Sequence, residues 1–316
     1  MTLGLATRAL TGVAIATLLT LGTAHAGDRK SAVVELADSL HTVAVNGTTL
    51  AMLDMGQGEP VVLLHGSAAD YRTWLDVIDP LKRQFRVIAY SRRFHYPNKG
   101  GGDGRDYSVA LHERDLLALL DSLKLERVHL VGYALGGNIA AQFAVDHPDR
   151  VRSLVLAEPE FRGIMKTAAR AKDYEDDRRL VYERAWQALS SDIGSLGIEA
   201  IADYEFGGDA LSAIPRAVQK RLADNAFALK LQVMSPVKPM HLTPEQIAGI
   251  KCPVLYVEGG KSPWHAHAMA DEFIKVHPAT QRVTLKGDSH GMVWGDPRGF
   301  TKAVVGFLAH NTLAGE

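Results

Sequence analysis

From residue 41 onward the chain divides into stretches with distinct hydrophobic periods. His41 to Val45 and Thr48 to Asp54 alternate apolar and polar residues on either side of Asn46-Gly47, the pattern of an antiparallel hairpin with a two-residue turn. Pro60 to Leu64 and Phe85 to Tyr90 are continuous apolar runs, as strands buried on both faces require, and a helix is predicted between them over Trp74 to Leu81. Helical spacing returns over Tyr107 to Leu123. It leads into a strand, Val128 to Tyr133, that turns abruptly into a helix over Leu135 to Val145, and a further strand follows at Val151 to Leu156. From Phe161 to about Ile250 the strand signal disappears and helical patterns dominate, notably Arg178 to Leu189 and Arg216 to Val233. Strands resume at Pro253 to Val257 and Arg282 to Leu285, and a helix over Pro297 to Ala309 closes the pattern. The expected architecture is α/β: a mostly parallel sheet covered by helices on both faces, formed by residues 27–160 and 250–316, with an inserted helical cap over 161–249.

The first 26 residues follow another logic. Arg8 precedes an apolar run from Ala9 to about Leu21, and Ala24-His25-Ala26 supplies small residues at a cleavage site. This is the form of a secretory signal peptide, and it predicts a periplasmic or secreted protein without stable membrane association once the leader is removed after Ala26. A net charge of -1 gives no basic field for nucleic acid, so the expected partner is a small molecule. The single cysteine, Cys252, excludes an internal disulfide and a thiolate metal cluster and reads as a small buried residue.

Candidate chemistry centres on Gly132-Tyr133-Ala134-Leu135-Gly136-Gly137. Glycines two before and two after a central residue allow a turn sharp enough to project that residue above the sheet, at the start of a helix whose amides point at it. With this motif the mature chain resembles the α/β-hydrolase family, whose members carry the nucleophile at the position of Ala134. Alanine has neither a lone pair to attack a carbonyl nor a proton to give a histidine, so as written the chain is a hydrolase scaffold without its nucleophile. Gly-Tyr-x-Leu-Gly-Gly is similar to the serine members. The aspartate members, epoxide hydrolases and dehalogenases, are the alternative parents.

The resemblance implies further roles. His65-Gly66-Ser67 follows the first parallel strand, which makes the amide of Ser67 one oxyanion-hole donor and that of Leu135 the other. Gly287-Asp288-Ser289-His290-Gly291, with Trp294 behind it, is similar to the family's histidine loop and makes His290 the general base and acid. Ser262 stands where most relatives carry the triad aspartate, so the acid is expected one strand earlier, at Glu158, with Glu160 and Asp288 as alternatives. Arg93 matches an arginine that usually braces the loops under the site, and it is also a candidate, with Trp294, for contact with substrate. His265 and His267 sit two apart on a helix and face different ways, so no metal is implied, and neither is any other cofactor. Tyr174, Tyr182, Trp186 and Tyr204 either line a pocket or pack the cap.

The implied parent activity is hydrolysis of a carboxylic ester, thioester or lactone through a Ser-His-Glu triad and an acyl-enzyme. Three readings of Ala134 follow: a serine hydrolase whose nucleophile has been replaced, a non-catalytic small-molecule binder, or an enzyme whose histidine works without a covalent step.

Overall fold

The computed structural model describes residues 39–98, 103–166, 168–191, 194–208, 210–236 and 241–312. The leader, the Gly100-Gly101-Gly102 loop and the segment 27–38 lie outside the described residues. No described helix is long and apolar enough to cross a membrane.

Strands β1 (Leu40–Val45) and β2 (Thr48–Met55) form the hairpin, and Asn46 and Gly47 both take the positive φ that a twist-matched two-residue turn demands, 41° and 71°. Six strands then run parallel: β3 (Pro60–Leu64), β4 (Arg86–Tyr90), β5 (Val128–Tyr133), β6 (Val151–Ala157), β7 (Val254–Gly259) and β8 (Gln281–Leu285). The eight strands are ordered β1-β2-β4-β3-β5-β6-β7-β8, with β2 antiparallel to β4.

Alternation along each strand builds two apolar layers. Val62, Leu64, Leu130, Leu154 and Leu156 pack against α2 (Val109–Ser122), α3 (Leu135–Asp146) and α11 (Trp264–Val276). Val61, Leu63, Val131 and Val155 point the other way, onto α1 (Leu75–Leu81) and α13 (Pro297–Ala309), where Trp74, Leu81, Phe300 and Val304 meet them. Helix starts follow local chemistry. Ser108 accepts from the Leu111 amide at the start of α2, and Asp296 accepts from Gly299 at the start of α13, with Pro297 in the first turn.

Between β6 and β7 the described elements are all helical: α4 (Arg162–Met165), α5 (Ala171–Leu189), α6 (Gly194–Phe206), α7 (Ala210–Ala213), α8 (Arg216–Asp224), α9 (Ala226–Met234) and α10 (Pro244–Ala248). Ala185, Leu189, Ile198, Ile201 and Leu229 form the cap's own core and close onto Ala68 of the loop after β3. The single helix expected over Arg216 to Val233 is two helices. Asn225 breaks it, because its side chain is drawn out of the helical pattern to the core: it donates to Asp70 at 2.7 Å and accepts from the Tyr96 amide at 2.8 Å.

Candidate active site

The elbow is a sharply constrained turn. Ala134 has φ 48° and ψ -121°, a conformation that costs a non-glycine residue about 1–3 kcal/mol. The turn closes only because its flanks lack side chains. A Cβ on Gly136 would stand 2.1 Å from the Leu64 carbonyl oxygen, and one on Gly132 would stand 2.5 Å from that of Gly136. The methyl of Ala134 is thereby lifted off the end of β5, half-buried, at the N-terminus of α3. There the Leu135 amide has no partner within its helix. Ser67 lines both cavities that open over Ala134.

His290 and Glu158 are 4% and 5% exposed and joined by a 2.7 Å contact from Nδ1 to Oε2. The other carboxylate oxygen of Glu158 accepts from the Gly259 amide and from the Ser262 hydroxyl, each at 2.7 Å. Ser262 therefore helps fix the orientation of the Glu158 carboxylate. A carboxylate accepts only, so Nδ1 carries the proton and Nε2 is left as the base. Burial lowers the pKa of His290, but its bond to Glu158 and the charges of Glu205 and Glu158 outweigh that and raise it above the ordinary histidine value. Its ring lies 5.0 Å from Tyr133 and 5.4 Å from Phe206, which in turn packs on Trp294 at 5.8 Å.

The two alternative acids are engaged elsewhere. Glu160 is bound by Tyr174 and, at 2.8 Å, by Arg178. Asp288 accepts from the Ser289 amide and turns its carboxylate toward Gly295. Arg93 is not at the cleft: its fork grips the buried Asp115 at 2.6 and 2.8 Å and reaches the Asn46 carbonyl, tying the hairpin to α2. The bracing contact expected of Arg93 is made by its neighbour. Arg92 donates to the carbonyls of His65 and Gly66, and its amide donates to Nε2 of His65. Burial, with the charge of Arg92, keeps His65 neutral for that role. His265 stacks on Tyr204 at 4.2 Å while His267 meets Glu258, and the described residues hold no cluster of His, Cys, Asp or Glu able to bind a metal.

Two cap residues escaped the reading of the sequence. Glu205 places Oε2 at 3.6 Å from Nε2 of His290, and burial pushes its carboxyl up to about 7 against the pull of His290. Arg221 enters the smaller cavity from α8. No motif marks either residue, because helical cap sequences carry only their own packing period. That cavity, about 70 Å³, is walled by Ile198, Ile201, Val218 and Leu229, whereas the larger, about 320 Å³, is lined by polar groups such as Asn138, Arg178 and Gln232. Ala134 and Glu205 border both, and His290 and Trp294 the smaller.

Comparison with known proteins agrees with this geometry. Residues 59–196 match the family model described as alpha/beta hydrolase fold. Over 137 residues the chain is 33% identical to a putative 2-succinyl-6-hydroxy-2,4-cyclohexadiene-1-carboxylate synthase of Bacillus subtilis, covering 43% of this chain and 49% of the relative. Over 124 residues it is 37% identical to the 2-hydroxy-6-oxo-2,4-heptadienoate hydrolase of Pseudomonas putida, covering 36% and 42%. The chain thus spans about half the length of the curated relatives it matches, or less. Among solved structures, a carboxylesterase from Bacillus subtilis superposes with TM-score 0.73 at 18% identity, over 97% of this chain and 99% of that one. An enol-lactonase from Burkholderia xenovorans superposes with TM-score 0.67 at 22% identity, over 85% and 100%. Sheet order and these matches together show that the chain has the α/β-hydrolase fold, with residues 59–196 carrying the sequence pattern of that family model.

Proposed function

We propose that this scaffold is built for hydrolysis of a carboxylic ester, thioester or lactone through an acyl-enzyme, and that Ala134 leaves it without the nucleophile, so that it binds such molecules and does not turn them over. The observation that carries the reading is the buried Glu158–His290 pair, held at 2.7 Å beside an elbow that keeps its positive φ with alanine at the apex. A structural histidine would need neither the strained elbow nor a carboxylate with both oxygens fixed.

With serine at 134 the steps are those of a triad. Oγ attacks the carbonyl carbon while its proton passes to Nε2 of His290, and the oxyanion forms against the amides of Ser67 and Leu135. Collapse breaks the bond to the leaving alcohol, which takes the proton back from Nε2. Water then repeats the sequence on the acyl-enzyme, its proton passing through Nε2 and returning to Oγ as the acid is released. Glu158 stabilises the imidazolium in both halves.

The test is a fluorophosphonate probe and an ester and lactone panel applied to the chain as it stands and to Ala134→Ser. Loss of a triad nucleophile costs on the order of a million-fold in turnover, so the alanine form should sit near background while the serine form is labelled and active. The cavities over Ala134 would serve equally for a non-catalytic binder. That second reading prevails if a folded Ala134→Ser protein is neither labelled nor hydrolytic. Ordinary turnover by the alanine form would sink both and require His290 to act without a serine.

A further inference from the structure

Arg221 enters from α8 a mostly apolar cavity that Glu205 and His290 also line, and its guanidinium is only partly engaged by the fold. Its Nη1 donates to the Thr73 hydroxyl at 3.3 Å, while Nε is shut off from solvent and has no partner. Among the described residues none accepts from Nε or Nη2, and no carboxylate lies within ion-pair distance. Of the two nearby acids, Asp70 receives two bonds from the Arg72 fork and one from Asn225, and Asp76 acts on Arg221 only through its charge. Burial lowers the pKa of Arg221 and the charge of Arg72 adds to this, while Asp70 and Asp76 pull it back up from a distance, neither bonding to the guanidinium. A buried guanidinium N–H without an acceptor, as at Nε, is costly, and Nε with Nη2 forms the edge that grips a carboxylate through two parallel bonds.

Resting on the ester-hydrolase reading above, we propose that Arg221 is the anchor of a carboxylate subsite, so that the substrates are esters, thioesters or lactones bearing a free carboxylate on a short arm. The cavity sets the arm. At about 70 Å³ the cavity is small beside its 320 Å³ neighbour, which favours an arm of a few carbons. Ile198, Ile201, Val218 and Leu229 cover the methylenes, Arg221 the far end, and Ala134 and His290 the near end. Glu205 does not oppose the anion at its anchor: it pairs with His290, whereas the charges around Arg221 are Asp70, Arg72 and Asp76. Thr73 holds Nη1, which leaves Nε and Nη2 without a protein acceptor among the described residues.

The experiment has two arms. In the Ala134→Ser protein, kcat/KM is measured for monomethyl glutarate against methyl pentanoate, and for 4-acetoxybutanoate against pentyl acetate, so that the carboxylate is tried on either side of the ester. At least one anionic ester should be preferred tenfold or more, and Arg221→Gln should abolish the preference, with Arg221→Lys between the two because it keeps the charge and loses the fork. Equal rates on charged and neutral esters in both pairs, or a ratio unmoved in a folded Arg221→Gln protein, would overturn the proposal and leave the hydrolase reading intact. The second arm uses the chain as it stands: calorimetry should show binding of the same anionic esters, weakened tenfold or more by Arg221→Gln. If Ala134→Ser proves inert, the hydrolase reading falls, and this arm still decides the subsite, absence of binding or insensitivity to Arg221→Gln overturning it.

Discussion

Glu158 combines a buried place beside His290 with a costly backbone conformation. Its φ of 44° lies where L-residues rarely sit, yet the bond from its amide to the Val257 carbonyl and three further bonds to its carboxylate hold it there. In the Ala134→Ser background, Glu158→Gln should therefore leave the fold intact and lower kcat by several orders of magnitude, since the amide keeps the shape and loses the counter-charge of the imidazolium. Steady-state kinetics checks this, and turnover within a few-fold of the parent would reassign the acid. The site was legible at this scale where chemistry demands a residue type at a fixed place. Gly132, Ala134, Gly136 and His290 declare themselves through the turn and the histidine loop. Arg92 and Arg93 did not, because adjacent residues after a strand exchange roles with a half-turn of backbone that periodicity does not resolve.

At the scale of elements, the cap is attached to the core through the interruption between α8 and α9. Asn225, 1% exposed, ties three pieces together: the Tyr96 amide, the Asp70 carboxylate and the Arg221 carbonyl. Asn225→Ala would strand a buried amide and remove a donor from a buried carboxylate, at about 2–4 kcal/mol. The loss should be local as well as global, with faster amide hydrogen exchange across α8 and α9 than in β5 or β6, read by mass spectrometry; uniform exchange would show that the cap does not depend on this anchor. The same residue explains where the sequence misled. The apolar period runs unbroken from Arg216 to Val233, and only a tertiary demand from Asp70 and Tyr96 ends the helix at 224. Strands β3 and β5 and helix α13, by contrast, were legible to the residue, because their ends coincide with Gly, Pro or a sharp turn.

Taken as a whole, the molecule buries neutral histidines in numbers that set its response to acid. Burial first, then the charge of Arg92, holds His65, His95 and His112 well below the ordinary histidine value. His129 is also lowered by burial, and His241 and His265 are brought by burial to about 4. In the unfolded chain these rings titrate near 6.5, so between that pH and their folded values the unfolded state binds more protons. Stability is then fully present above about 6.5 and is lost as pH falls, at up to about 1.4 kcal/mol per pH unit for each histidine. Three carboxyls and His290 act in the opposite sense: burial raises Asp76, and His290 is raised despite its burial by its bond to Glu158 and the charge of Glu205. Glu113 and Glu205 are raised by burial to about 7, so they bind protons in the folded state first and favour it as pH falls from 7 toward 4.5. Six lowered histidines outweigh these four groups, and the urea midpoint should decline steadily from pH 6.5 to 5. His112 offers the sharpest check, because both its ring nitrogens are buried without hydrogen-bond partners between Tyr107 and His95. His112→Phe fills a similar volume with no polar atom to strand, so it should raise the midpoint at pH 7 and reduce the proton uptake on unfolding near pH 5.5 by about one. Urea titrations at four pH values measure both quantities. A midpoint that is flat or rises on acidification, or a His112→Phe protein with the parent's pH slope, would mean that these rings are already protonated in the folded state.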